Sequence, residues 1–191
     1  RLLCLFCYFC MDNEINAMWS LAMDPNVNKE EMEKEKEYWS GMIEVLTPIV
    51  KAYSTDRAQE SIELAVQCYG GYGFCREYPV EQMMRDNKIN QIYEGTNGIQ
   101  ALDLLGRKLG MKKGSYFINL LNYTAEAIAE AEKLDLLKEE AAIVKGALTA
   151  AGLTAKDFSK MIGTTPYVPL IGACDYLTAL GDAIVGWLHL K

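Results

Sequence analysis

Positive charge is in short supply in this chain of 191 residues: 19 lysines and arginines stand against 26 aspartates and glutamates, for a net charge of −7. With no basic stripe to neutralise phosphates, the composition argues against nucleic acid as a partner. Long apolar runs are missing too, so no segment reaches the length of a membrane span. The stretch Arg1 to Cys10, one basic residue followed by apolar ones, imitates a signal peptide. It has no initiator Met and no small-residue cleavage site, and its pattern runs on into Asp12-Asn13-Glu14. It reads as a helix cut open at its start, so the chain is expected to be a piece of a longer protein. Histidine is nearly absent: His189, the single one, lies at the end of an apolar helix pattern and reads as structural or exposed. Six cysteines without a secretory signal point to a reducing cytoplasm rather than a disulfide framework. Cys4, Cys7 and Cys10 have the spacing of some iron–sulfur ligands, but a fourth ligand is missing and the residues between are large and apolar. Core packing, with no metal, is the expectation.

Half of the residues are hydrophobic and 24% are charged, a soluble globular composition. The length allows one domain with a sizeable core, or two small ones. The apolar spacing is helical throughout. Residues 1–23 are apolar on most of their circumference and predict a buried helix. Residues 29–53 predict a second helix, which Pro48 should kink or split. Ser54-Thr55-Asp56 offers N-caps for a third helix, 56–69, ending at Gly70-Gly71. Pro79 suits the first turn of a fourth, with Val80, Met83, Met84, Ile89 and Ile92 buried and Arg85 and Asp86 as ion-pair partners. Asn97 is expected to cap the next helix, with Gln100 as capping-box partner and Ile99, Leu102, Leu105 and Leu109 inside. Helices at 115–134, 136–151 and 167–190 follow, with breaks at Gly152 and at Gly163-Thr164-Thr165-Pro166. The expected fold is all-α, an antiparallel helical bundle over 1–110 with a helical extension over 114–191.

The rest of the chain is organised around one stretch. It carries Gln67-Cys68-Tyr69-Gly70-Gly71-Tyr72-Gly73-Phe74, then Glu77-Tyr78-Pro79-Val80-Glu81, then Met84-Arg85-Asp86-Asn87-Lys88-Ile89 and Ile92-Tyr93-Glu94-Gly95-Thr96. Glycines here permit positive φ or close approach of a ligand to the backbone. By spacing alone the features are ordinary: a Gly C-cap, and an acid near a helix end.

Together and in this order they resemble the C-terminal helical domain of the acyl-CoA dehydrogenases. That family has a Q-x-x-G-G-x-G-[FY] turn, E-Y-P-V-E, and M-R-D-x-K-I-x-x-I-Y-E-G-T. The resemblance implies a role for each matched residue. Glu94 is the base that takes the α-proton of an acyl-CoA thioester while FAD accepts the β-hydride. Gln67, Cys68, Tyr69, Gly70 and Gly71 lie at the FAD of a neighbouring subunit. Thr96, Asn97 and Gly98 lie at FAD, and Gly98 offers only backbone where some relatives have glutamine. Tyr93 and Gly95 flank the base at the substrate and are expected to give it an apolar, closely approached setting. Such a setting raises a carboxyl pKa, as a base for a weakly acidic proton requires. No side chain accepts hydride, so the reaction needs the flavin.

The resemblance further implies electron-transferring flavoprotein as electron acceptor, a homodimer or homotetramer, and a cytoplasmic bacterial protein. The tail, and Asn97 to Lys108, resemble a bacterial subgroup that includes enzymes similar to 3-methylmercaptopropionyl-CoA dehydrogenase. Two rival readings stand beside this one. An acyl-CoA oxidase shares the base and makes peroxide, and a non-catalytic helical domain only mediates assembly. Alone, the fragment is expected to be inactive and to hold FAD weakly or not at all.

Overall fold

The protein is described by a computed structural model covering residues 1–191. Its helices are α1 (Leu2–Met23), α2 (Lys29–Tyr69), α3 (Pro79–Asn90), α4 (Asn97–Gly106), α5 (Ser115–Ala131), α6 (Lys138–Met161), α7 (Tyr167–Ile171) and α8 (Ala173–Leu190). Short 3-10 segments, Gly70–Phe74 and Lys108–Gly114, join α2 to α3 and α4 to α5. There is no strand, as an all-α bundle requires.

The central mast is α2, 41 residues long and about 60 Å at 1.5 Å per residue. The Asn28 side chain caps it, accepting from the Glu31 amide at 3.4 Å, and Glu30 and Glu31 complement the helix dipole in the first turn. Pro48 lies inside it, and of the two outcomes expected, a kink or a split, the split does not occur. An interior proline costs about 3 kcal/mol or more, but the flanking positions Met42, Val45, Leu46, Ile49 and Ala52 are all buried in one core. Burial of that continuous stripe outweighs the lost hydrogen bond. The expected caps at 54–56 therefore cap nothing. The Thr55 hydroxyl donates back along the same helix to the carbonyls of Lys51 and Ala52, at 2.9 and 3.1 Å.

α1 runs antiparallel to α2: Cys4 Sγ lies 3.8 Å from Ser54 Oγ, while Phe9 meets Trp39 edge-on at 5.5 Å. Only Leu3, Phe6, Cys10 and Ala17 of α1 are buried, and Leu5, Tyr8, Ile15, Met18 and Trp19 stay exposed. The wholly buried helix is thus not found within this chain, because its other helices cover one side of α1 only. All six cysteines are free. Burial pushes the Cys10 thiol up to about 12, with Cys7 beside it adding to the shift.

The tail shares this core. Phe117, Leu120, Ile128, Leu148, Leu180, Ile184 and Trp187 belong to one apolar cluster with Leu3, Phe6 and Ile49. α8 comes very close to α2. A Cβ on Gly181 would fall 2.4 Å from Cδ2 of Tyr53, and the hydroxyl of Tyr53 donates to Asp182 at 2.7 Å. Gly152 does not break α6; it lets the side chain of Leu121 come close to the α6 backbone. The expected last helix is two, α7 and α8, parted at Gly172. Leu170 and Ile171 on the short piece are exposed, as is His189.

Three further expectations fail around α3 and α4. On α3 only Val80 and Asn87 are buried, and Met83, Met84, Ile89 and Ile92 face outward. Arg85 and Asp86 make no ion pair; Asp86 instead accepts from Gln82 one turn away, at 2.5 Å. On α4 Leu105 is buried as expected, together with Ala101 and Leu104, while the expected Ile99 and Leu102 are exposed. At the start of α4 Thr96, not Asn97, holds the cap, its Oγ1 accepting from the Ile99 amide at 3.4 Å.

Candidate functional site

α3 separates two local sites, one at each end. At its start α2 stops where Gly70 takes φ 59° and ψ −140°, a backbone essentially closed to other residues. Side chains built on Gly70 or Gly71 would meet nothing within 4 Å, so the backbone here is bare. Around it the rings of Tyr69, Tyr72 and Phe74 are exposed. Tyr78 supports the two tyrosines from below, with ring centroids 5.8 and 5.2 Å away. Gln67 and Cys68 on the last turn of α2 are exposed as well. Bare backbone flanked by accessible aromatic faces fits a planar, polar cofactor such as a flavin nucleotide.

At the far end of α3 the chain turns sharply. Glu94 takes φ 53° and Gly95 φ 85°, two left-handed residues in succession. A non-glycine residue there costs about 1–2 kcal/mol, so the turn needs external support. Two side chains provide it. Gln100 donates from Nε2 to the carbonyl of Glu94 at 2.8 Å, so it is no capping-box partner. Lys51 donates from Nζ to the carbonyl of Gly95 at 2.7 Å. The backbone N–H of Asn97 then closes the turn on the carbonyl of Gln91 at 3.1 Å.

Beneath the turn lies a polar network that the sequence reading missed. The Asn97 side chain accepts from Lys51 Nζ at 2.7 Å. Its amide nitrogen faces Ala52 O at 3.2 Å, Thr55 Oγ1 at 2.9 Å and Asp56 Oδ1 at 2.7 Å. Gln91 donates to the same Asp56 oxygen at 2.5 Å. One turn further on, Asn87 reaches Thr55 O and Gln59 Oε1 at 3.2 and 3.0 Å. Burial pulls Lys51 below the ordinary lysine range, and the carboxylates of Asp56 and Glu94 oppose that shift. The available signal was a lone lysine in the apolar run Ile49-Val50-Lys51-Ala52, a charge that needs a partner wherever that helix packs.

The Glu94 side chain is exposed and Tyr93 is half open. The closed apolar setting expected around Glu94 is not made by this chain on its own. Nor does the chain bring the expected cofactor residues together. Gln67 to Gly71 stand before α3, and Thr96 to Gly98 after it, about 18 Å apart along a helix of this length. Asn97 spends its side chain on the network, which leaves its backbone to meet a ligand; Gly98 offers backbone only. No group of three or more His, Cys, Asp or Glu side chains is placed to hold a metal ion. No helix is long and apolar enough to cross a membrane.

Residues 10–109 match the family model described as acyl-CoA dehydrogenase, C-terminal domain. Over 151 residues the chain is 34% identical to the broad-specificity linear acyl-CoA dehydrogenase FadE5 of Mycobacterium tuberculosis, covering 76% of this chain and 25% of the relative. Over 156 residues it is 40% identical to a butyryl-CoA dehydrogenase of Syntrophomonas wolfei, covering 82% and 25%. Over 153 residues it is 37% identical to the 3-methylmercaptopropionyl-CoA dehydrogenase of Ruegeria pomeroyi, covering 76% and 25%. The chain thus spans about a quarter of the length of these relatives.

Proposed function

The chain belongs to the acyl-CoA dehydrogenase family, through its C-terminal domain, and from that premise we propose that the protein it is part of desaturates an acyl-CoA thioester at the α,β position. Glu94 is the base. The single observation that carries this is the Glu94–Gly95 turn: a glutamate whose left-handed backbone is held at consecutive carbonyls by two side-chain donors. Residues held in left-handed backbone by their surroundings cluster at active sites and ligand clamps.

In this mechanism the Glu94 carboxylate takes the α-proton, with Tyr93 and Gly95 flanking it at the substrate and Gly95 supplying the left-handed backbone of the turn. FAD, when bound, supplies the hydride acceptor for the β-carbon. Gln67, Cys68, Tyr69, Gly70 and Gly71 would hold the cofactor on one copy of the chain, and Thr96, Asn97 and Gly98 on another. The separation of the two groups along α3 supports that division between subunits, and with it a homodimer or homotetramer. The exposure of Glu94 and Tyr93 supports a site closed by parts of the protein outside these 191 residues. The family domain is then 1–110, and 114–191 braces its core from behind. Electron-transferring flavoprotein as acceptor and a cytoplasmic setting complete the reading.

The test uses the full-length protein. It is titrated anaerobically with a panel of acyl-CoA esters, straight-chain and 3-methylmercaptopropionyl, while flavin absorbance is followed. The ester that bleaches the flavin names the substrate class. Bound flavin that no ester bleaches would remove the dehydrogenase reading, and peroxide formed on aerobic turnover would replace it with an oxidase.

A further inference from the structure

We infer that Lys51 and Gln100 are positioning residues for Glu94, gripping consecutive carbonyls so that the Glu94 carboxylate is aimed by the helix α2 rather than by its own loop. The inference rests on the reading of Glu94 as the base.

The geometry is specific. The Glu94 and Gly95 carbonyls each accept one side-chain donor, from Gln100 at 2.8 Å and from Lys51 at 2.7 Å. The two donors come from different helices, α4 and α2. Each left-handed peptide is therefore tied to a separate rigid element. Lys51 also bonds Asn97 Oδ1 at 2.7 Å, which fixes the residue just past the turn. Asn97 in turn is tied to Ala52 and Thr55 on α2. The turn is thus fastened on both flanks to the longest helix of the bundle. Lys51 sits in the middle of that helix, half-buried, one position before the buried Ala52.

A lysine that merely filled a gap would not need two acceptors beside a carboxylate in a left-handed conformation. Without the donors, the turn would relax toward ordinary backbone angles and carry the carboxylate with it. Misplacing a reacting group by about 1 Å costs about 100-fold in rate. Neither residue touches the reacting atoms in this account; both act through the backbone of Glu94 and Gly95.

The experiment compares full-length, flavin-loaded wild type with Lys51→Met, Lys51→Arg, Gln100→Leu and Glu94→Gln. Rapid mixing with a bleaching acyl-CoA gives the rate of flavin reduction and the dissociation constant of the ester. Hydrogen exchange of the peptide spanning 91–100 reports the turn directly. Lys51→Met should slow reduction about 100-fold, as for a misplaced base, with ester affinity and flavin content unchanged and exchange in 91–100 accelerated. Lys51→Arg, which keeps a donor, should recover part of the rate. If Lys51→Met does not fold, Gln100→Leu carries the same two readings. Reduction at the wild-type rate per bound flavin, with unchanged exchange in 91–100, overturns the inference and leaves Lys51 a packing residue. Glu94→Gln separates the two claims. If it is reduced like wild type, the base assignment falls, while the exchange data still decide whether Lys51 and Gln100 hold the turn.

Discussion

Gly181→Ala should destabilise the chain although alanine is the better helix former. In the interior of α8 the exchange gains about 1 kcal/mol of helix propensity. Against it stands the packing. The added methyl would lie 2.4 Å from Cδ2, 2.8 Å from Cγ and 3.0 Å from Cε2 of Tyr53. These are atoms along one edge of the ring, down to its root, and the ring's far end is pinned to Asp182 by a 2.7 Å hydrogen bond. The ring has no easy way out, so α2 and α8 must part. Overpacking of this kind costs up to about 3 kcal/mol, for a net loss of about 2 kcal/mol. At 191 residues that is a fall in Tm of roughly 4–8 °C. Urea unfolding followed by far-UV circular dichroism measures it, together with the same substitution in a Tyr53→Ala background. There the obstruction is gone and Gly181→Ala should stabilise by about 1 kcal/mol, the propensity term alone. The change of sign is the diagnostic. If Gly181→Ala stabilises equally in both backgrounds, the tail does not pack on the family domain as described.

Three other outcomes are expected. Glu94→Gly should raise stability by up to about 1 kcal/mol, because glycine adopts the left-handed turn without strain, while abolishing flavin reduction in the full-length protein; a loss of stability would argue against the strained turn. Burial, then hydrogen bonding to Asp182, pushes the Tyr53 hydroxyl up to about 12 from its ordinary 10.0. The unfolded chain therefore releases this proton first, so the contribution is whole below pH 10 and is lost as pH rises toward 12. The fall in urea midpoint across that window should shrink in Tyr53→Phe, and an equal fall in both proteins would refute the assignment. With a thiol reagent near pH 8, Cys68, Cys75 and Cys174, all exposed, should react at once. Cys10, buried and with its thiol held up to about 12, should react only on unfolding.

How much could be read from residues alone differs from place to place, for physical reasons. Pro79 at a helix start, Gly70 at a helix end and the turn at 163–166 are local matters of backbone angle, and local sequence states them. Pro48 does not split α2 because its cost is local while the burial that overrides it is spread over five side chains. The inward face of α4 was misjudged for a related reason. Ile99 and Leu102 are as apolar as Leu104, and only the packing of α4 against the rest of the fold decides which of them turn inward. α1 is apolar nearly all round, so its pattern could not say which side this chain covers and which it leaves open. At the candidate site Glu94 and its flanking residues stand out as a motif. Lys51 lies far from them in sequence and is joined to Gly95 only by the fold. A contact between such distant positions leaves one trace in a single sequence, a lone charge beside the apolar stripe of the helix.

The central claim is that Glu94 moves the α-proton, and exchange of that hydrogen with solvent tests it without relying on flavin colour. Full-length holoenzyme, wild type and Glu94→Gln, is incubated in D2O without electron acceptor with an acyl-CoA that the wild type desaturates. Deuterium at the α-carbon is then followed by NMR. Wild type should wash deuterium into the α-position while Glu94→Gln, still binding the ester, leaves it unlabelled. Equal labelling by both proteins would place the base on another residue.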